Sequence, residues 1–514
     1  MTTAWCCKKG KLSTAEYVLQ LMIRMDMRVK KKSSKNYFDK LMGFFASKHF
    51  FYAIVAITIT QGLWYAFSFR PWINDEARHF ENIQLYTHQL SPFLGSQNPA
   101  WDHLGGVVRD GSYMFYYLMS WPLRLLEMIS SDYGFQLISL RLICLAVFIG
   151  AIIVIRKALL EVKGLSGGIV NFALLFFVLT PAVGLLAGIV NYDSAAFLLF
   201  SFLLLLSIRL LHDATLRADR IILFLIVGLF ITVVKWTSIA LVIPLLVYLG
   251  YHYLKKYKMN IVAAFIKSFR AIPLRTRVLL LVGLTVTASL FIERPVLNTL
   301  EYGKPAPSCE VVIGSERCKA FPDYVVYSTL KAHKNPNFDP VDPVRYTVEH
   351  WSRIMSNTMT NLLEKGRVSQ LPVVSKLYEI LALFSVAMIL IGLKDILRSR
   401  ARVMLLVIIG GFTLILIASE YGSYLKAGTP VAIRARYLIP ILPLYIALTL
   451  FSINSIFYRY KKLQFSAAVL VVLVLSQGGS IVTHLITTPE SAYWKGSLHA
   501  NLKVKHLIEP VIKQ

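Results

Sequence analysis

Charge is scarce in this chain of 514 residues: Asp, Glu, Lys and Arg together make up 16% of it, where a soluble domain typically carries about a quarter. With 56% hydrophobic residues and a mean hydropathy of +0.58, that scarcity excludes a soluble enzyme. Cysteine is equally sparse. The five present show no CxxC spacing, which excludes a disulfide scaffold and a zinc module. No repeat of solenoid period and no low-complexity run occurs. The apolar stretches run on without alternating, which excludes a β-barrel. Acid is the scarcest charge, with 28 Asp+Glu against 55 Lys+Arg and a formal net charge of +27.

What abounds is long apolar runs. A bilayer-spanning helix needs roughly 20 apolar residues, and the runs predict an all-α integral membrane protein with about eleven spans. They lie near 50–68, 136–155, 169–189, 195–210, 220–236, 237–254, 278–292, 372–393, 403–419, 437–457 and 464–483. The segment Tyr113–Ile129 is apolar too, but aromatic and interrupted by Pro122 and Arg124; it reads as a helix lying along the interface. Lys and Arg concentrate in cytoplasmic loops, and this choice sorts them. The loops then placed inside hold 31 of the 55 basic and 7 of the 28 acidic residues, so nearly all the excess charge sits on one side. The basic balance therefore reads as orientation and contact with anionic lipids at the cytoplasmic face, with no nucleic-acid partner.

The resulting organisation is a basic cytoplasmic segment 1–49, a membrane module 50–292 containing an outer loop 69–135, a large outer loop 293–371, helices over 372–483 and an outer tail 484–514. In the first segment Tyr17, Leu21, Met22 and Met25 recur at helical spacing among basic residues, which fits an interfacial helix or a solvated tail; a start at Met22 or Met25 is a further reading. The prolines of 293–371 argue against long helices in its first half. Cys6-Cys7 beside two lysines could be acylated. Cys309 and Cys318, the cysteines placed outside, are expected to pair in an oxidising compartment.

Immediately beyond the first span come Asp75, Glu76 and Arg78, charges that are costly at a bilayer edge. The plain alternative is a helix cap at Asn74 or Asp75. This arrangement of one span, an outer Asp75-Glu76-Ala77-Arg78, the aromatic Tyr116-Tyr117-Leu118 and a helix near Arg141 resembles the polyprenyl-phosphate-dependent GT-C glycosyltransferases. Within them it is similar to the protein O-mannosyltransferase and aminoarabinose-transferase group and its bacterial relatives. Asn191-Tyr192-Asp193-Ser194 and Arg436-Tyr437-Leu438-Ile439-Pro440 also look like signatures of that group. The prolines of the relatives' PPLYYL-type segment are absent, with Arg109-Asp110-Gly111-Ser112 in their place.

The resemblance implies a GT-C-like bundle with juxtamembrane helices in the first outer loop and an outer cap, expected in a bacterial inner membrane, and the asymmetry of Lys and Arg puts its N-terminus in the cytoplasm and its C-terminus outside. It implies transfer of a sugar from a polyprenyl phosphate to an envelope glycan, lipid or protein acceptor, with inversion. Such a transfer needs a base for the acceptor hydroxyl and fixed cations for the departing phosphate. Asp75 is the first choice of base and Glu76 the second, with Asp110 or Asp102 as auxiliary carboxylate. Arg78 is the phosphate ligand by motif, and Arg436, Arg434 and Arg109 by outer placement. Tyr116 and Tyr117 line a donor groove or an aromatic belt. Arginine can hold a monophosphate alone, so no cofactor is required and a divalent metal is optional. His79, His88 and His103 fit no metal spacing and read as solvated or hydrogen-bonded; Asp193 reads as a helix cap and Lys235 as a snorkelling lysine. The rival reading, a secondary transporter or lipid-linked-sugar flippase, would place charges near the bilayer midplane.

Overall fold

The computed structural model describes residues 39–71, 75–360, 372–431, 433–478, 485 and 488–512. The basic N-terminal stretch, with Cys6 and Cys7, lies outside them. Among the described residues the chain is helical, with one isolated bridge between Phe69 and Tyr493 in place of any sheet. Six helices are long and apolar enough to cross a membrane: Lys48–Ser68, Tyr133–Leu160, Tyr192–His212, Trp236–Arg270, Leu274–Tyr302 and Arg400–Ala427. They mark an all-α membrane protein. Four more expected spans fall on the helices Ala218–Val234, Pro372–Ile391, Leu442–Ile456 and Lys461–Gly478, which are not among those six.

Local chemistry sets the helix starts. Ser47 Oγ accepts from Phe50 N at 3.3 Å, Asp132 Oδ1 from Phe135 N at 2.7 Å and Asn191 Oδ1 from Ser194 N at 3.0 Å, each satisfying an N–H with no intrahelical partner. Two expectations change. The run 169–189 is two helices, Gly167–Leu179 and Pro181–Ala187, bent by 79°, because Pro181 cannot continue the first and suits the first turn of the second. The helix expected over 278–292 runs on to Tyr302, passing Pro295 through a π-helical stretch over Ile292–Val296 that absorbs the missing N–H. Tyr113–Ile129 is a 17-residue helix and is not among the long apolar six.

The bundle packs around one large apolar core in which Phe177 sits 6.2 Å from Phe148 and 5.4 Å from Phe197, ring to ring. The turn at Gly188 comes so close to the first helix that an added Cβ would lie 2.5 Å from Tyr65 Cβ and 2.6 Å from Gly62 O. The helix Lys495–Ile512 returns to the same end of that first helix. Arg70 N donates to Ala492 O at 2.9 Å, Trp494 N to Ser68 O at 3.0 Å and Trp64 Nε1 to Asn501 Oδ1 at 3.0 Å.

The large loop folds against the first one. Cys309 and Cys318 are joined in a disulfide, and Arg317 beside it donates to Asp102 through Nε at 2.7 Å and Nη2 at 2.6 Å. Maleimide is expected to label Cys309 and Cys318 only after reduction; labelling of both thiols without reductant would remove this staple.

Candidate functional site

Six separate stretches deliver polar side chains to one end of the bundle. Asp75 opens the helix Glu76–Leu85 in the left-handed region, at φ 64°, which Asp and Asn tolerate better than most residues. Its side chain makes no cap hydrogen bond. The carboxylate instead faces two guanidinium groups, with Oδ2 accepting from Arg436 Nη2 at 3.0 Å and lying 3.5 Å from Arg78 Nη2. The helix-cap reading of Asp75 is therefore corrected at the side chain: arginine has taken the role of the N–H groups. Burial acts to raise the Asp75 pKa, but the charges of Arg436 and Arg78 outweigh it and hold the carboxyl below the usual range.

Arg436 is the most committed cation of the site. Its side chain is 12% exposed, and its Nε and Nη1 atoms are buried with no hydrogen-bond partner among the described residues. Such donors are expensive to leave unpaired. Arg78 also pairs with Asp323 from the large loop and lies over the Phe321 ring at 5.5 Å. Arg434, two residues before Arg436, has an exposed side chain.

Behind this trio lies a second ion pair, Lys235 with Asp193, both 6% exposed at the side chain. Lys235 Nζ stands 5.2 Å from the Tyr192 ring centre and 5.1 Å from that of Tyr437. The cap reading of Asp193 and the snorkelling reading of Lys235 are both corrected: the two side chains turn inward because a buried charge needs a partner. His79 shares a hydrogen bond with Tyr116 Oη at 2.9 Å, and its Nε2 is buried without a partner among the described residues. Burial, with the charges of Arg436 and Arg78, pushes this imidazole down to about 3, so it is neutral at physiological pH.

Other expected site residues go elsewhere. Glu76 is 1% exposed and bound to Arg141; its Oε1 accepts from Arg141 Nε and from Val190 N, both at 2.8 Å. Arg141 Nη1 donates to Ala66 O at 2.8 Å and Phe69 O at 2.6 Å. Both carboxylate oxygens are thus engaged, and the pair ties three chain segments together beneath Asp75. Asp102 serves the Arg317 staple, and Arg109 pairs with Glu301 at 2.9 Å and Glu293 at 3.7 Å. Asp110, by contrast, stays within electrostatic reach of Arg78, Tyr116 and Tyr192; its Oδ1 accepts from Ser112 N at 2.9 Å, and burial raises its pKa. Tyr116 lies in the site, whereas Tyr117 Oη donates to Leu90 O at 2.7 Å. No group of three or more His, Cys, Asp or Glu able to hold a metal occurs among the described residues.

Sequence reasoning gave Tyr192, Tyr437 and Asp323 no role at this site. For Asp193 and Lys235 a signal was present: opposite charges at the outer ends of consecutive apolar runs. No protein-family model matches the chain, and no curated protein sequence matches it.

Proposed function

We propose that this protein is an inverting glycosyltransferase of GT-C-like architecture with about eleven spans, acting at the non-cytoplasmic face of a bacterial inner membrane. Its donor is a sugar on a polyprenyl phosphate, and its acceptor an envelope glycan, lipid or protein. The observation that carries this reading is Arg436: a buried guanidinium that holds Asp75 with one nitrogen and keeps two more N–H edges unpaired.

A phosphate monoester satisfies those edges with its oxygens, since guanidinium and phosphate match as a fork. Arg78 can exchange Asp323 for the same phosphate, and Lys235 adds charge from the other side. As the phosphate draws the arginines toward itself, Asp75 loses its counter-charges and becomes a stronger acceptor for the proton of an incoming hydroxyl. The acceptor oxygen bonds to the anomeric carbon, the bond from that carbon to the phosphate oxygen breaks, and the electron pair leaves with the polyprenyl phosphate. Attack opposite the leaving group inverts the centre. Arginine and lysine suffice to stabilise the departing phosphate, so the reading requires no cofactor.

Donor-lipid binding and single-turnover transfer by Arg78→Ala, Arg78→Lys and Arg436→Ala test it. Each is expected to lose about 2–5 kcal/mol of donor recognition, as for a desolvated charge-assisted contact. Lysine at position 78 restores charge without the fork, so Arg78→Lys stays impaired. Unchanged binding and transfer in all three would remove the phosphate site; lipid movement between leaflets with no sugar transferred by the parent protein would hand the function to a flippase.

A further inference from the structure

The two consecutive helices Tyr192–His212 and Ala218–Val234 connect the Asp75 end of the bundle to its far end. Asp193 and Lys235 stand beside the site, while the turn between the helices lies a 21-residue helix away, about 30 Å. At that turn is a cavity of about 690 Å³, lined by Thr215, Arg217, Asp219, Lys267, Ser268 and Thr276 among others. Asp219 is occupied by Arg217, which donates to it at 3.0 and 2.8 Å. Among the described residues, Lys267 is then the cation of the lining left without a counter-charge. Ser268 Oγ accepts from Ala218 N at 2.9 Å, which leaves its own hydrogen to donate inward.

The helix Ile261–Arg270 lines the cavity through Ala264, Lys267 and Ser268, and its remaining surface has two characters. Within the span Trp236–Arg270 the helix Ile239–Tyr257 ends and the chain turns at Lys258, at φ 48°, before Ile261–Arg270, which turns Ile261, Ala264, Phe265 and Phe269 toward the core. Met259, Val262 and Ile266 stay exposed, at 94%, 65% and 44%. Around them the stretch 255–277 carries seven lysines and arginines and no acidic residue. Exposed apolar side chains interleaved with cations are how a chain meets an anionic bilayer surface.

We infer that this cavity binds the phosphodiester headgroup of an anionic phospholipid. Lys267 faces the phosphate, the hydroxyls of Thr215, Ser268 and Thr276 donate to its oxygens, and Leu216, Ala264, Ile272 and Pro273 of the lining meet the apolar part of the lipid, while Met259, Val262 and Ile266 meet other lipid on the opposite side of the helix. The lining's single uncompensated positive charge matches the single negative charge of a phosphodiester. A free phosphate would fit the cations but leave the apolar residues exposed to water. The site is independent of the transferase reading, because it lies at the opposite end of the bundle.

The full chain in a neutral detergent, titrated separately with phosphatidylglycerol, phosphatidylcholine and glycerol phosphate, tests the assignment, with bound molecules counted by native mass spectrometry. Phosphatidylglycerol is expected to be retained about tenfold better than phosphatidylcholine, a charge-assisted contact's worth. Lys267→Gln is expected to abolish that preference without changing phosphatidylcholine retention, and Ser268→Trp to do so by filling the cavity. Lys267 is exposed, so its replacement leaves the fold intact and carries the test even if the tryptophan does not fold. Equal retention of the two lipids, an unaffected Lys267→Gln, or glycerol phosphate binding as tightly as the lipid would each overturn the inference.

Discussion

Asp75→Asn is expected to lower sugar transfer by about two to four orders of magnitude, the range of general-base loss. Asparagine suits this position because it tolerates the left-handed backbone at φ 64° and keeps an oxygen for Arg436, so assembly and donor binding should persist. The pH profile gives a second readout. The Asp75 pKa is held low by Arg436 and Arg78 against the opposing effect of burial. The carboxylate therefore survives below the usual titration range, and its contribution is lost only as pH falls through that lowered value. Arg436→Ala removes one of the charges and is expected to move the acid limb upward. Transfer at subsaturating donor across a pH series, which reports the donor-free protein, measures both. If Asp75→Asn keeps most activity while Glu76→Gln abolishes it in a folded protein, the base moves one residue; if both variants are active, the transferase reading fails.

Arg141→Met is expected to be the most destabilising single change near the site. Arg141 is wholly buried, and its guanidinium binds Glu76 and two carbonyls at the end of the first helix. Removing it leaves an unpaired carboxylate and two orphaned carbonyls; breaking a buried ion pair this way costs about 3–5 kcal/mol. Glu76→Gln should cost less, because an amide oxygen can still accept from Val190 N and Arg141. Thermal unfolding in detergent, followed by the fluorescence of a thiol probe at the buried Cys144, orders the variants. An unfolding midpoint for Arg141→Met equal to that of the parent would contradict a structural role.

These two effects separate adjacent residues that the sequence treats alike. Asp75 and Glu76 are neighbouring carboxylates at one bilayer edge, and nothing in spacing or hydropathy says which faces arginine and which is sealed beneath. The direction is set by Arg141 and by Val190 N, 65 and 114 residues away from Glu76. Helices were legible because apolar runs of this length have few alternatives, and the asymmetry of Lys and Arg grouped the helix ends that now share the site. Arg436 could be proposed from that grouping, but its contact with Asp75 spans 361 residues. Arg109 and Asp102 had equal standing as candidates, yet Glu301 and Arg317 from the large loop engage them instead. Pro181 was visible in the sequence; the 79° bend it accompanies was not, because hydropathy reads the flanking helices as one run.

The pairing at Phe69 and Arg70 has a consequence for the order in which the protein becomes competent. Their backbone partners are Tyr493 and Ala492, and Ser497 Oγ closes onto Ser68 O across 429 residues of sequence. On the ribosome, the end of the first helix emerges hundreds of residues before the segment that clamps it. A shorter chain can already hold Glu76 and the end of the first helix through Arg141 and Val190 N, so the contacts from Ala492 to Ser497 are the last of these ties to form. Synthesis through Ser497 therefore completes the set of contacts that closes around the end of the first helix.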